Sequence, residues 1–279
     1  MPYSAEISRA NPSCVLFMID QSFSMDDPFG GGESTDKKAT AVADVINKLL
    51  QNLVIKCAKD EGVRDYYHIG VIGYGGQVGP AFGGELASKE LVPISQIANS
   101  PARVEERTKK MPDATGELVE QTVKFPIWFD AITSGGTAMC KAMTQAKQIL
   151  ESWLTAHPDG YPPIVINITD GESTDGNPNE VAQAIKNLKS NHGEVLLFNI
   201  HLSSHQNPKI EFPESEAGLP DEYAIRLFQM SSVLPNSIKE IAHQEGYPVS
   251  TGARGFVFNA DMTALINFLD IGTRPSNLR

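Results

Sequence analysis

Cys14-Val15-Leu16-Phe17-Met18-Ile19-Asp20-Gln21-Ser22-Phe23-Ser24 carries the clearest sign of the fold. Residues 14–19 are apolar without interruption and the run stops at an acid, which fits a strand buried on both faces of a parallel sheet. After it, Val42, Val45, Ile46, Leu49, Leu50 and Leu53 recur at three- and four-residue intervals. That spacing predicts an amphipathic helix, with Thr35 or Asp36 placed to cap its start and Gly62 to end the segment. Residues 66–74, 164–169 and 194–200 read as further core strands, and Val181, Ile185 and Leu188 mark a helix between the last two. A helix, a short strand at 255–258 and a helix at 262–269 close the pattern. Strands alternating with helices imply βαβ units. The expected class is α/β, a doubly wound, mostly parallel central sheet of about six strands with helices on both faces.

The chain has 279 residues, 41% of them hydrophobic and 20% charged, enough for one large α/β domain. One domain with a core at 14–269 is expected, carrying insertions at 75–133 and 201–235, because both stretches exceed ordinary connection lengths. The glycines of the first, followed by the mixed charges of residues 103–110, predict an antiparallel edge strand or hairpin and then a short helix with a solvated face. A net charge of −11 repels phosphate backbones and anionic lipid, so neither nucleic acid nor a membrane surface is an expected partner. Cys14, Cys57 and Cys140 are odd in number and widely spaced in apolar or helical stretches. They read as buried thiols in a reducing compartment. With no signal-peptide pattern at the start and no apolar run of membrane-spanning length, a cytoplasmic location is expected.

The chemistry begins where the first strand ends. Asp20 is followed by hydroxyls at Ser22 and Ser24, and residues two apart in extended backbone point the same way. They converge beyond the carboxyl end of the sheet, where open α/β folds place ligands. Two other segments reach the same crevice: Ser134-Gly135-Gly136-Thr137 before a helix, and Thr169-Asp170-Gly171 after a core strand. Two acids after strands could simply cap the following helices, and the glycines could simply make a tight turn. Together, however, these segments supply oxygen donors without thiolate or imidazole, and such a set suits a hard cation.

Asp20-x-Ser22-x-Ser24, then Thr137, then Asp170, each at the expected strand end, resembles the metal-ion-dependent adhesion site of von Willebrand factor A domains. The resemblance implies that Ser22, Ser24 and Thr137 offer hydroxyls to one Mg²⁺ (or Mn²⁺), and that Asp20 and Asp170 hold it directly or through water. A carboxylate from an Asp or Glu of a partner protein then completes the shell. Phe23 stands where glycine is frequent in the family, and is expected to form an apolar rim. Asp26 and Asp27 are similar to the paired acids of a neighbouring calcium site in integrin β subunits, one residue out of step. Residues 125–139 resemble a bacterial branch associated with tellurium resistance, whose members are linked with a Ser/Thr kinase and a phosphatase. With Glu172 and Asp175, Asp26 and Asp27 also lie in loops at the metal end, making a face that repels acidic ligands until a cation reverses its sign.

Other chemistries have weaker support. Of the six histidines, only His201 and His205 approach metal-ligand spacing. Gly73-Tyr74-Gly75 lacks the last glycine of a dinucleotide fingerprint, Val78 standing in its place. Neither a phosphate loop nor a Gly-x-Ser-x-Gly elbow occurs. A Mg²⁺-dependent phosphotransferase with Asp20 as nucleophile is the alternative function, but its usual second acid is replaced by Ser22. The expectation is therefore a non-enzymatic, metal-dependent protein-binding module.

Overall fold

The computed structural model describes Tyr3 and residues 5–29, 36–112, 117–202 and 208–273. Strand β1 (Ser13–Asp20) is buried along its whole length and is followed by helix α1 (Lys38–Cys57). Strand β2 (Tyr67–Tyr74) leads to the short strands β3 (Val78–Pro80) and β4 (Val92–Pro93), helix α2 (Ile94–Asn99) and the strands β5 (Arg103–Pro112) and β6 (Leu118–Ile127). Helix α3 (Met139–Ala156), strand β7 (Tyr161–Thr169), helix α4 (Asn179–Lys186) and strand β8 (Leu196–Leu202) come next. Strand β9 (Ile210–Glu211), helices α5 (Glu222–Met230) and α6 (Asn236–Gln244), strand β10 (Phe256–Ala260) and helix α7 (Met262–Thr273) complete the order.

The main sheet runs β9-β10-β8-β7-β1-β2-β3, with β4 also on β2. Its inner pairs are parallel, and the short strands at its margins are antiparallel. This is the expected mostly parallel, doubly wound sheet, with eight strands rather than about six, because residues in the long connections add two- and three-residue edges. The alternation of side chains along β1 explains why both faces are covered. Val15, Phe17 and Ile19 join one apolar cluster with α1, α6 and α7. Cys14, Leu16 and Met18 join another with α3, α4 and α5. Two layers of helices thus bury a period-two strand from both sides. No helix among the described residues is long and apolar enough to cross a membrane.

Several local expectations change. Residues 103–110 are not helical: β5 pairs antiparallel with β6 from Arg103↔Ile127 to Pro112↔Leu118, a ribbon separate from the main sheet. Its charges pair along β5, where alternate residues share a face. Arg107 bonds Glu105 and Asp44 and lies 3.9 Å above the Phe125 ring, a cation–π contact that a helical reading misses. Helix α1 has Lys37 at its N-cap position and no side-chain cap; Thr35 lies outside the described residues. It ends at Cys57, and Gly62, at φ +120°, serves the following hairpin instead. Within 201–235, α5 packs Leu227, Phe228 and Met230 into the second core. All three cysteines are free, but Cys140 is part-exposed rather than buried.

Candidate metal centre

The register of β1 on β7 pairs Ile19 with Ile168, so Asp20 and the Thr169-Asp170 pair leave the sheet side by side. Asp20 is 1% exposed. Its Oδ1 accepts the Ser22 backbone N–H at 2.8 Å and its Oδ2 accepts the Thr169 hydroxyl at 2.6 Å. Burial pushes its carboxyl up to about 6; the Thr169 and Ser22 hydrogen bonds oppose this, and the nearby Asp170 adds to it. The hydroxyls of Ser22 and Ser24 are 3.0 Å apart, and Ser24 Oγ donates to Asp170 Oδ1 at 2.8 Å. Asp20, Ser22, Ser24 and Asp170 therefore form one hydrogen-bonded run joining the ends of β1 and β7.

Thr137 is buried at the entry to α3. Two loops hold it there. Its carbonyl accepts from Thr174 N at 2.9 Å, and Asp175 accepts from the backbone N–H groups of Cys140 and Lys141, capping α3 from the loop after β7. On the other side Phe23 N donates to Gly135 O, and Ser134 N to Gln21 O. This contact needs glycine: a Cβ on Gly135, at φ +68°, would stand 2.5 Å from Gly76 Cα, and one on Gly75 would stand 2.5 Å from Gln21 O. Gly75 and Gly135 thus let the loops after β1, after β2 and before α3 meet at backbone distance. The sequence-predicted donors share one end of the sheet.

The donor set fits a hard divalent cation: three hydroxyls and two carboxylates, with no thiolate. Among the described residues no three His, Cys, Asp or Glu side chains form a metal-holding group, so any ion here leans on hydroxyls. The surrounding acids are less repulsive than their formal charges suggest. Asp26 pairs with Lys37 at 2.8 Å, Glu172 with Arg226 at 3.4 Å, and Asp175 is spent on α3. Phe23 projects from this end, 68% exposed.

A family profile of the von Willebrand factor type A domain matches residues 15–215. The chain belongs to the von Willebrand factor type A (VWA) family. Among solved structures, this VWA chain is similar to the ArnB paralog VWA2 from Sulfolobus acidocaldarius, at 16% identity and a TM-score of 0.36, over 71% of this chain and 36% of that one. It is also similar to the pilus adhesin RrgA from Streptococcus pneumoniae, at 14% identity and a TM-score of 0.32, over 61% of this chain and 21% of that one. For the tip pilin GBS104 from Group B Streptococcus agalactiae the values are 13% and 0.30, over 88% and 73%. The VWA chain spans about a third of the Sulfolobus acidocaldarius chain and a fifth of RrgA. No curated protein matches its sequence.

Three features of the VWA site escaped the sequence reading. Lys38 Nζ lies 2.6 Å from Asp170 Oδ2, inside the site; the signal was a Lys-Lys pair opening a helix, where the dipole disfavours cations. Thr169 anchors Asp20, although it was quoted only as a neighbour of Asp170. Beneath the site, Tyr74 donates to Asn167, Asn167 to Asn199, and Asn199 to Ser231, all buried. Asn167 and Asn199, each in the middle of a mostly apolar strand, were the available clue. His201, on β8 opposite Thr169, stacks on Phe258 and is pushed down to about 4, chiefly by burial.

Proposed function

We propose that this VWA protein is a metal-dependent protein-binding module. Ser22, Ser24 and Thr137 supply neutral hydroxyls, Asp20 and Asp170 supply negative charge, and the site holds one Mg²⁺ or Mn²⁺. When bound, the ion supplies a Lewis-acidic position for an Asp or Glu carboxylate of the partner. The observation that carries this reading is the hydrogen-bonded run Ser22–Ser24–Asp170, in which side chains far apart in sequence aim their oxygens at one another. Phe23 adds apolar contact beside the charge, a combination that orients a small binding patch.

A non-catalytic role is supported by the state of Asp20. Both its oxygens accept hydrogen bonds and its side chain is buried, which suits an anchor for other ligands rather than a nucleophile. The free thiols support a reducing compartment such as the cytoplasm. The likeness of residues 125–139 to the tellurium-resistance branch supports a Ser/Thr kinase or phosphatase of a bacterial stress response as the partner. Affinity capture from the native cell with and without EDTA tests the reading: a partner should be retained with Mg²⁺ and lost in EDTA. Equal retention in both would place docking elsewhere. Turnover of an aryl phosphate with Mg²⁺, abolished by Asp20→Asn, would instead make the protein an enzyme.

A further inference from the structure

We propose that Lys38 is a tethered counter-ion that competes with the divalent cation for Asp170, so that metal entry requires its ammonium to leave. The proposal rests on the metal-binding reading and concerns a residue outside the donor set.

Lys38 opens α1, where the helix dipole already presents positive charge, and no acid stands in the first turn of that helix. Its side chain is nonetheless 3% exposed, a burial lysine tolerates only when paired. Its partners among the described residues all come from the loops at the metal end. Nζ bonds Asp170 Oδ2 at 2.6 Å and Ser24 O at 3.3 Å, with Asp27 Oδ2 at 3.8 Å. Asp170, with a side chain 1% exposed, thus divides its oxygens between a hydroxyl of the donor set and an ammonium.

A dication held by Asp170 would share that carboxylate with the ammonium, and burial weakens screening so that like charges repel strongly. The fold offers a second seat. Asp27, 59% exposed and already 3.8 Å from Nζ, is within reach, and the four-carbon lysine stem can rotate its head toward it without moving the helix. Lys38 therefore lowers the metal affinity of the site by stabilising it without metal, and ties metal binding to a side-chain exchange.

Calorimetric titration of EDTA-stripped wild type, Lys38→Met and Lys38→Gln with MgCl₂ and MnCl₂ tests this. Methionine keeps most of the stem and removes the charge. Lys38→Met should bind either ion about tenfold more tightly or better, a gain of roughly 1.4 kcal/mol, and its melting temperature should rise more on metal addition. In EDTA it should melt below wild type, because Asp170 is left buried without its cation. Equal or weaker affinity in both variants, folded by circular dichroism, overturns the proposal while leaving metal binding intact. No binding by any of the three proteins overturns the metal reading itself. If the variants do not fold, ¹⁵N-lysine wild type reads the same point: the Lys38 Nζ resonance should move with Mg²⁺ occupancy, and an unmoved resonance at saturation refutes the exchange.

Discussion

The ammonium of Lys38, at the start of α1, and the carboxylate of Asp170, just after β7, form a 2.6 Å ion pair with side chains 3% and 1% exposed. Breaking a buried pair by removing one partner is costly, whereas replacing both by apolar groups of similar size is far less so. Asp170→Asn in EDTA should lower stability to urea by about 3 kcal/mol, and Lys38→Met/Asp170→Leu should recover most of that loss. A double variant as unstable as the single one would show that the pair is not the source of the effect.

Asp20 makes stability depend on pH. Its folded carboxyl is raised from 3.8 to about 6, mainly by burial, so between those values the folded state holds a proton that the unfolded state has released. Its contribution to stability is therefore present at the acid end and is lost as pH rises through about 6. The expected loss is about 2–3 kcal/mol between pH 4 and 7 in EDTA. Comparing urea midpoints of wild type and Asp20→Asn across this range isolates it; parallel curves would contradict it. Mg²⁺ should offset the loss increasingly as pH rises, because the ligand must be deprotonated.

The close approach of the loops makes a paired prediction. Gly135→Ala places a Cβ 2.5 Å from Gly76 Cα at a positive φ, and backbone cannot yield cheaply, so a loss of about 2–3 kcal/mol and weakened metal binding are expected. Gly79→Ala, whose Cβ meets nothing within 4 Å, should change stability by less than about 0.5 kcal/mol. Thermal unfolding of both reads the difference.

Phe23 separates partner binding from metal binding. Because its ring is exposed, Phe23→Ala should leave the urea midpoint and the Mg²⁺ affinity unchanged while weakening a captured partner about tenfold, the scale of an interface anchor. Surface plasmon resonance against that partner measures it. An unaltered dissociation constant would move the interface away from this rim.

The sheet was legible because β1, β2, β7 and β8 are short, mostly apolar runs, and because motif residues sit at the ends of β1 and β7. The β5–β6 ribbon was not legible. Its residues 103–110 are charged, and mixed charges carry no period that separates a solvated helix from a solvated strand. Helix α5 was hidden in a stretch too long to read as one connection, although Asp221 caps it. In the site, Asp20, Ser22, Ser24, Thr137 and Asp170 were marked by type and order. Lys38 was not, because its role depends on a pairing across 132 positions that no local pattern encodes.

On the proposed reading, five side chains from three segments of the chain hold one divalent cation. Isothermal titration of EDTA-stripped protein with MgCl₂ and MnCl₂, run beside Asp20→Ala and Ser22→Ala, tests it most directly. One site should fill at or below millimolar metal in the wild type, with a matching rise in melting temperature, and both should vanish in the variants. No heat and no thermal shift at millimolar Mg²⁺ or Mn²⁺, with the wild-type fold intact by circular dichroism, would contradict it.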